Sequence, residues 1–386
     1  MAASDLPALF RPIALRGVAF RNRIVISPMQ QYAATADGRP TDWHHHHLVR
    51  FAIAGAGLVI TEALGIAPEA RLTWGDLGIW SDDQVPALRR LADAIAAAGA
   101  VPGAQLIHAG RKASVQRPWH GFEPMGADDV RLRGQHPWET VSASAIAANP
   151  GWPTPRAATR QDIAKSLDDF AAAARRVREA GFAVLNIHGA HGYLIHSFLS
   201  PLANTRDDDY GGSLENRMRY ALEVADAVRS EWPSDRPLFY RLSCIDDAPG
   251  GWTIEDTVTL ARAFAARGVD VVDCSSGGLQ RRTTTAVVPR IDGYQVPYAE
   301  RVRRDVGIAT MAVGLIRDPH HADAIVAEGR ADFVAIGREA LFNPHWPIQA
   351  AVALRGPEAF DEWPPAYGWW LKMRSKTLAV SKAAAE

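Results

Sequence analysis

The amino-acid sequence predicts a (β/α)8 TIM barrel, an α/β fold. Three observations carry that expectation. Short apolar runs return at a regular interval along the 386 residues, and each is followed by a longer segment of helical character. The runs are continuously apolar rather than alternating, as strands of a parallel sheet covered on both faces must be. An open doubly wound sheet would place a Gly-x-Gly-x-x-Gly turn after its first strand, and none stands there.

Taken in order, Ile13–Leu15 and Val18–Phe20, joined through Arg16-Gly17, read as a β-hairpin lid that closes the barrel's lower end. Barrel strands are expected at Arg23–Ser27, Leu58–Glu62, Gly103–Ile107, Ala183–Ile187, Leu238–Leu242, Val269–Cys274, Thr310–Val313 and Phe333–Ile336. The amphipathic stretches between them are Gln84–Ala98, Gln161–Ala180, Glu215–Ser230, Ile254–Arg267, Tyr298–Arg304 and His320–Glu328. The run His44-His45-His46-His47 opens a further helical stretch through Leu48–Ala54, with Asp42 read as its N-cap. Residues 113–160, rich in Pro, Trp and Gly, form a long loop insertion after strand 3, on the face where barrel loops build active sites. The chain from 1 to 386 is expected to be one barrel domain with a C-terminal tail from about residue 357.

With 47% hydrophobic and 22% charged residues the chain can bury a large core. A formal net charge of −1 gives no general pull toward nucleic acid or anionic membrane. Both cysteines, Cys244 and Cys274, lie inside apolar runs and read as core residues rather than a disulfide or metal site. No apolar stretch reaches transmembrane length, and Met1–Phe10 lacks the charged start and apolar core of a signal peptide. A cytoplasmic enzyme is the expectation.

Reacting groups in such barrels sit at the C-terminal ends of strands. Here those ends carry Ser27-Pro28-Met29-Gln30-Gln31-Tyr32, Glu62-Ala63, Gln105 to His108, Arg241, Ser275-Ser276-Gly277, Val313-Gly314 and Gly337-Arg338. Gly314 and Gly337 let backbone approach a ligand closely, and Arg338 adds charge where such barrels bind phosphate. A strand-end salt bridge is the plain alternative for Arg338 alone. With Gln105 and Arg241 pointing inward to pair with carbonyl and ring-nitrogen atoms, the set describes a seat for flavin mononucleotide (FMN).

The fourth strand delivers the most informative group. The run Phe182 to Ile187 leads into His188, His191 and Tyr193 on a turn with Gly189 and Gly192. Two imidazoles and a phenol at that spacing can grip a developing oxyanion and supply a proton. A lone core histidine is common; a pair flanked by glycines at a strand end is not. The same segment continues as Ser200-Pro201-Leu202-Ala203-Asn204-Thr205-Arg206, Tyr210-Gly211-Gly212-Ser213 and Glu215-Asn216-Arg217.

Together these motifs resemble the signature of the old yellow enzyme family of flavin-dependent ene-reductases, and in particular its xenobiotic reductase A-like and thermophilic-like branch. The resemblance covers the chain from about Leu9 to Leu371, including Gly110-Arg111-Lys112-Ala113, Pro344-His345-Trp346 and Pro365-Ala366-Tyr367-Gly368-Trp369-Trp370-Leu371. It implies noncovalent FMN, NADPH or NADH as hydride donor, and reduction of alkenes conjugated to a carbonyl or similar group. Its flavin contacts fall on Ser27, Pro28, Met29, Ala63, Gln105, Arg241, Gly314, Gly337 and Arg338, with Val313 beside them. Tyr32 matches a substrate-pocket tyrosine. Trp346 and Trp370 fall where the branch places aromatic walls over the substrate, with core or dimer-contact tryptophans as the alternative reading. Some relatives send an arginine from the neighbouring subunit's tail into the site, whereas this tail offers Trp369-Trp370.

On this reading, hydride delivery to the β-carbon leaves an enolate-like oxygen, to which His188 and His191 donate hydrogen bonds while Tyr193 protonates the α-carbon. One departure stands out. The branch usually carries cysteine at Gln30, and glutamine has hydrogen-bonding capacity but no thiolate chemistry. A flavoprotein with altered chemistry, or a flavin sensor, is therefore one alternative, and a metal-dependent barrel hydrolase using His44–His47 a remote one. The two scattered cysteines exclude the iron–sulfur cluster of the larger dienoyl-CoA reductase type. No metal site is assigned. The expected partners are small activated alkenes and a second copy of the chain, as a homodimer or dimer of dimers.

Overall fold

A computed structural model of the chain describes residues 5–280 and 288–383. The apolar runs become strands because both faces of each are covered. The outer face is covered by helices, and the inner face meets side chains from across the barrel.

In chain order the elements are β1 (Ile13–Leu15), β2 (Val18–Phe20), β3 (Ile24–Ile26), α1 (Asp42–Ile53), β4 (Leu58–Gly65), α2 (Val85–Ala97) and β5 (Val101–Ile107). The insertion holds α3 (Ala127–Arg133), β6 (Val141–Ser142) and β7 (Arg156–Ala157). Then come α4 (Arg160–Glu179), β8 (Val184–Gly189), α5 (Leu194–Leu199), α6 (Leu214–Glu231), β9 (Leu238–Ser243), α7 (Ile254–Ala265) and β10 (Val271–Ser275). The remainder is α8 (Val296–Val306), β11 (Ala309–Ala312), α9 (Pro319–Ala327), β12 (Phe333–Ile336), α10 (Arg338–Phe342), α11 (Trp346–Arg355) and α12 (Pro365–Ala383). Among the described residues, eight parallel strands in the order β3-β4-β5-β8-β9-β10-β11-β12 close on themselves, β12 pairing β3 through Val334 and Ile24. This is the expected (β/α)8 barrel, each strand within a few residues of its predicted span.

The barrel's lower interior is apolar. Val25, Leu58, Ile60, Val184, Phe239, Val271, Met311 and Phe333 form one buried cluster, completed from the hairpin by Phe20. The Phe20 ring meets that of Phe333 edge to face at 5.2 Å. Gly17 N–H donates to the Asp235 carbonyl at 2.8 Å, and Arg16 Nε to Asp270 at 2.8 Å, so the hairpin is tied to the underside of the sheet. A larger cluster fills the space between sheet and helices.

Helix α1 corrects one sequence expectation. Thr41, not Asp42, is its N-cap, and the backbone N–H of Thr41 donates to His44 Nδ1 at 3.0 Å. Asp42 instead occupies the first helical position, where a carboxylate favours the positive end of the helix dipole. The four histidines then divide by helical geometry, His44 and His47 buried, His45 and His46 exposed. Among the described residues, no group of three or more His, Cys, Asp or Glu is arranged to hold a metal ion.

The insertion pairs with itself, Val141 opposite Arg156, and packs Phe122, Trp138 and Trp152 against a small cluster that includes Ala63 and Ile107 from the ends of β4 and β5. After Arg355 the tail turns through residues 357–362 into α12, whose Tyr367, Trp369, Trp370, Met373, Leu378 and Val380 face outward. No helix of the described chain is long and apolar enough to cross a membrane.

Phe20→Ala should empty the plug without touching any polar group. A loss of about 3–5 kcal/mol is expected in urea unfolding. A change under about 1 kcal/mol would mean that the hairpin contributes no plug.

Candidate active site

Above the apolar layer the barrel interior turns polar on four neighbouring strands, β5, β8, β9 and β10. Register places Asn186 between Gln105 and Phe239, and Arg241 between His188 and Asp273. Gln105 Nε2 donates to Asn186 Oδ1 at 3.2 Å, and Asn186 Nδ2 to Asp273 Oδ2 at 3.3 Å. Arg241 Nε lies 3.5 Å from Asp273 Oδ2, and Arg241 Nη1 donates to Ser27 Oγ at 3.4 Å. Burial pushes the Asp273 carboxyl above the usual carboxylate range, with Arg241 pulling in the opposite direction. The 3.5 Å ion pair does not amount to a hydrogen bond, and among the described residues Arg241 Nε and Asp273 Oδ1 are both buried without a hydrogen-bond partner.

Beside this layer the strand ends enclose a cavity of about 520 Å³, within the range of small-molecule sites. Ser27, Pro28, Met29, Arg241, Val313, Gly314, Gly337 and Arg338 line it, together with His191. A Cβ added at Gly337 would meet nothing nearer than Ser27 Cβ at 3.9 Å, so the backbone there is bare toward the cavity. Gly314 holds φ +123°, a conformation that excludes most side chains. Gln30 is not among the residues that line the cavity. Its Oε1 accepts from the Ala63 N–H at 2.6 Å, which leaves Gln30 Nε2 buried without a partner.

The catalytic candidates sit on a locked turn. His188 is the penultimate residue of β8, and His191 (φ +59°) and Gly192 (φ +75°) reverse the chain before α5. A left-handed backbone at a histidine is strained and needs support. Gly192 N–H donates to His196 Nδ1 at 2.8 Å, and His196 Nε2 pairs with Asp246 Oδ1 at 2.7 Å, both side chains fully buried. The other oxygen of Asp246 accepts from Ser200 Oγ and from Trp252 N–H. Lys112 Nζ donates to the His191 carbonyl at 2.8 Å and to that of Gly278, tying three loops together.

Within the turn, His188 Nδ1 accepts from Ala190 N–H at 3.2 Å, His188 Nε2 lies 3.3 Å from His191 Nδ1, and His191 Nε2 lies 2.7 Å from Ser275 Oγ. The Tyr193 ring stands edge-on to His188 at 4.8 Å. Burial first, and the Arg241 charge second, hold both imidazoles well below their ordinary pKa, while burial raises the Tyr193 phenol. All three groups are thus neutral near pH 7 and able to donate. Tyr32 holds φ +56°, its carbonyl accepting from Arg117 Nε at 3.0 Å, with Trp119 and Phe122 edge-on to its ring at 5.9 and 6.3 Å.

Trp346 and Trp370, the expected wall residues, do not line this cavity. Trp346 is buried in the core, its indole N–H drawn to the Arg317 carbonyl at 2.7 Å. Trp370 is exposed on α12, packed against Trp369. Sequence reading missed Lys112, Asn186, His196, Asp246, Asp273, Tyr294 and Gln295. Asp273 carried a signal, a lone acid inside the apolar run Val271 to Cys274, and so did His196, one turn beyond Gly192. Gln295 carried none.

The residues present fit a phosphate-bearing ligand with a polar ring, given a bare backbone at Gly337, Arg338 on the cavity's rim and an unpartnered hydrogen on Arg241 among the described residues. Residues 8–355 match the model of the NADH:flavin oxidoreductase / NADH oxidase family. An NADPH dehydrogenase of Geobacillus thermodenitrificans (strain NG80-2) is 46% identical over 351 residues, covering 90% of this chain and 94% of that protein. The solved structure of morphinone reductase aligns with a TM-score of 0.72 at 28% identity, covering 90% of each chain. A 2-naphthoyl-CoA reductase aligns with a TM-score of 0.79 at 26% identity over 91% of this chain, but the chain spans only 53% of that larger protein.

Asp246→Asn tests the lock on the turn. Burial alone would raise the Asp246 carboxyl; His196, Ser200 and the Trp252 N–H outweigh it and leave it below the ordinary value. A depressed native pKa contributes stability above the unfolded value of about 3.9, and that contribution is lost as pH falls through the native pKa. The variant should therefore be less stable by about 1.5–3 kcal/mol near pH 7, the worth of a hydrogen bond to a charged group, the gap closing in acid. Urea unfolding of both proteins across that range reads the difference; a gap that stays constant would remove Asp246 from the role.

Proposed function

The chain belongs to the NADH:flavin oxidoreductase / NADH oxidase family, as an old yellow enzyme-like FMN oxidoreductase that uses NAD(P)H, and from that premise we propose that it reduces the C=C bond of alkenes activated by a conjugated carbonyl or similar group. The observation that carries the reading is the neutral donor group His188, His191 and Tyr193, locked at the end of β8 beside the Arg241 wall of the cavity. Bound FMN supplies the carrier that takes a hydride from the nicotinamide and passes it to the second substrate.

The chain's own part is binding, orientation and proton supply. Arg338, Gly314 and Gly337 would hold the phosphate. Ser27, Pro28, Met29, Gln105 and Arg241 would hold the polar edge of the ring system, with Ala63 and Val313 beside it. Gln30 would turn its unpartnered Nε2 toward the same edge, where the branch carries a thiol. His188 and His191 would grip the substrate's carbonyl oxygen and stabilise it as charge develops there. Tyr193, whose raised pKa keeps its proton at neutral pH, would deliver that proton to the α-carbon. Tyr32, with Trp119 and Phe122 around it, would close the far side of the substrate. The likeness to morphinone reductase supports the choice of a conjugated substrate, and the relatives' NADPH dehydrogenase activity supports NADPH as donor. We place the enzyme in the cytoplasm as a homodimer, the exposed aromatic side of α12 being the surface a second copy would cover. Residues 1–386 form one FMN-binding barrel unit in this proposal; residues 1–4, 281–287 and 384–386 lie outside the described part.

Two outcomes follow. Arg338→Ala should weaken FMN retention by about 1.5–3 kcal/mol, the usual worth of a hydrogen bond to a charged group, read by ultrafiltration and fluorescence of released flavin. Unchanged affinity would put the phosphate elsewhere. Tyr193→Phe should leave anaerobic flavin reduction by NADPH nearly unchanged but slow reoxidation by 2-cyclohexenone roughly 10²–10⁴-fold. Equal slowing of both halves would make Tyr193 a shaping residue, and reduction by NADPH with no reoxidation by any conjugated alkene would overturn the substrate class.

A further inference from the structure

The polar contacts around His191 continue beyond the residues assigned above, and each has a direction. Gln295 Nε2 lies 3.2 Å from the Val313 carbonyl, which can only accept, so the amide is oriented with Oε1 toward the two serines at the end of β10. Ser276 Oγ donates to that oxygen at 2.9 Å and Ser275 Oγ at 3.3 Å. With its hydrogen on Gln295, Ser275 Oγ accepts from His191 Nε2 at 2.7 Å. At the other end, the Ala190 N–H occupies His188 Nδ1, so the hydrogen of that neutral ring is on Nε2 and points at His191 Nδ1. Both rings therefore carry their hydrogen on Nε2, and the only imidazole hydrogen near the pair's shared edge is that of His188.

A ligand oxygen placed between the two rings needs a hydrogen from each. His191 can provide one only as the other tautomer, with its hydrogen on Nδ1 and an unprotonated Nε2. That nitrogen then needs a donor, and a hydroxyl is the group that can change from acceptor to donor by rotating its O–H bond. Serine at 275 meets the need, and Gln295 Oε1 keeps its shorter bond from Ser276 when the Ser275 hydrogen leaves.

We infer that Ser275, backed by Gln295 and Ser276, is a positioning residue that lets His191 switch from the Nε2–H to the Nδ1–H tautomer when an oxyanion enters, so that both histidines donate to it. One proton leaves Nε2 and one arrives at Nδ1, both exchanged with water, and the ring stays neutral. The inference rests on the proposed oxyanion role of the histidine pair.

The test uses FMN-loaded protein with ¹⁵N-labelled histidine. Long-range ¹H–¹⁵N correlation reports the tautomer, the rings being assigned through His188→Gln and His191→Gln. The probe is a phenolate, whose binding is read by its charge-transfer absorption. Wild type should show His191 as Nε2–H alone and as Nδ1–H with phenolate bound. Ser275→Ala should keep the resting tautomer, fail to switch, and bind phenolate roughly five- to tenfold more weakly, the worth of one hydrogen bond. Ser275→Thr, which restores a hydroxyl, should restore both. Wild-type His191 that remains Nε2–H in the complex overturns the inference, as does a Ser275→Ala protein that switches and binds like wild type. Failure of the underlying reading looks different. Phenolate binding that survives joint replacement of His188 and His191 by Ala would remove the oxyanion seat itself, whatever Ser275 does.

Discussion

The site depends on one buried charge pair. Arg241 and Asp273 face each other across neighbouring strands inside a barrel whose lower half is wholly apolar. Two ions taken out of water cost several kcal/mol each unless nearly every polar atom is paired, and here the pairing is incomplete on both sides. The remaining capacity of Arg241 is directed at the cavity, and its charge lowers the pKa of the two histidines above it. One guanidinium thus lines the cavity, partners Asp273 and lowers the pKa of both imidazoles. Its carboxylate partner reaches Gln105 through Asn186, so four strands share one polar layer.

Above that layer, precision comes from a strained turn held from outside. The left-handed His191 and Gly192 are supported by the His196–Asp246 pair beneath and by Lys112 across the loops. His196 and Asp246 are fully buried and Lys112 half-buried, so the turn's geometry does not depend on fully exposed side chains.

The barrel was legible because its signal is repeated. Eight runs of the same kind, from Ile24–Ile26 to Phe333–Ile336, are hard to read as anything else, and the hairpin announced itself at Arg16-Gly17. Residues carried by chemistry at a strand end, such as His188, His191, Arg241 and Arg338, were also visible, since polar groups at such positions have few structural excuses. What escaped were residues whose importance lies in a partner distant in sequence. Gln295 meets Ser275 from 20 residues further along the chain, and nothing local marks it. Trp346 and Trp370 lie away from the cavity of the single chain. Their rings follow the packing of α11 and α12, which a motif does not specify. Thr41 displaced Asp42 as N-cap because His44 reaches back to its backbone, a three-residue detail that ranking cap residues by type cannot resolve.

The Phe20 plug has a consequence for traffic. With its lower end stoppered by the hairpin, the barrel is a cul-de-sac whose cavity opens among the strand C-termini. On the proposed function, a nicotinamide and an alkene would use the same doorway and, to reach the same ring, the same standing place. They would queue rather than meet, and each compound present in excess would obstruct the other.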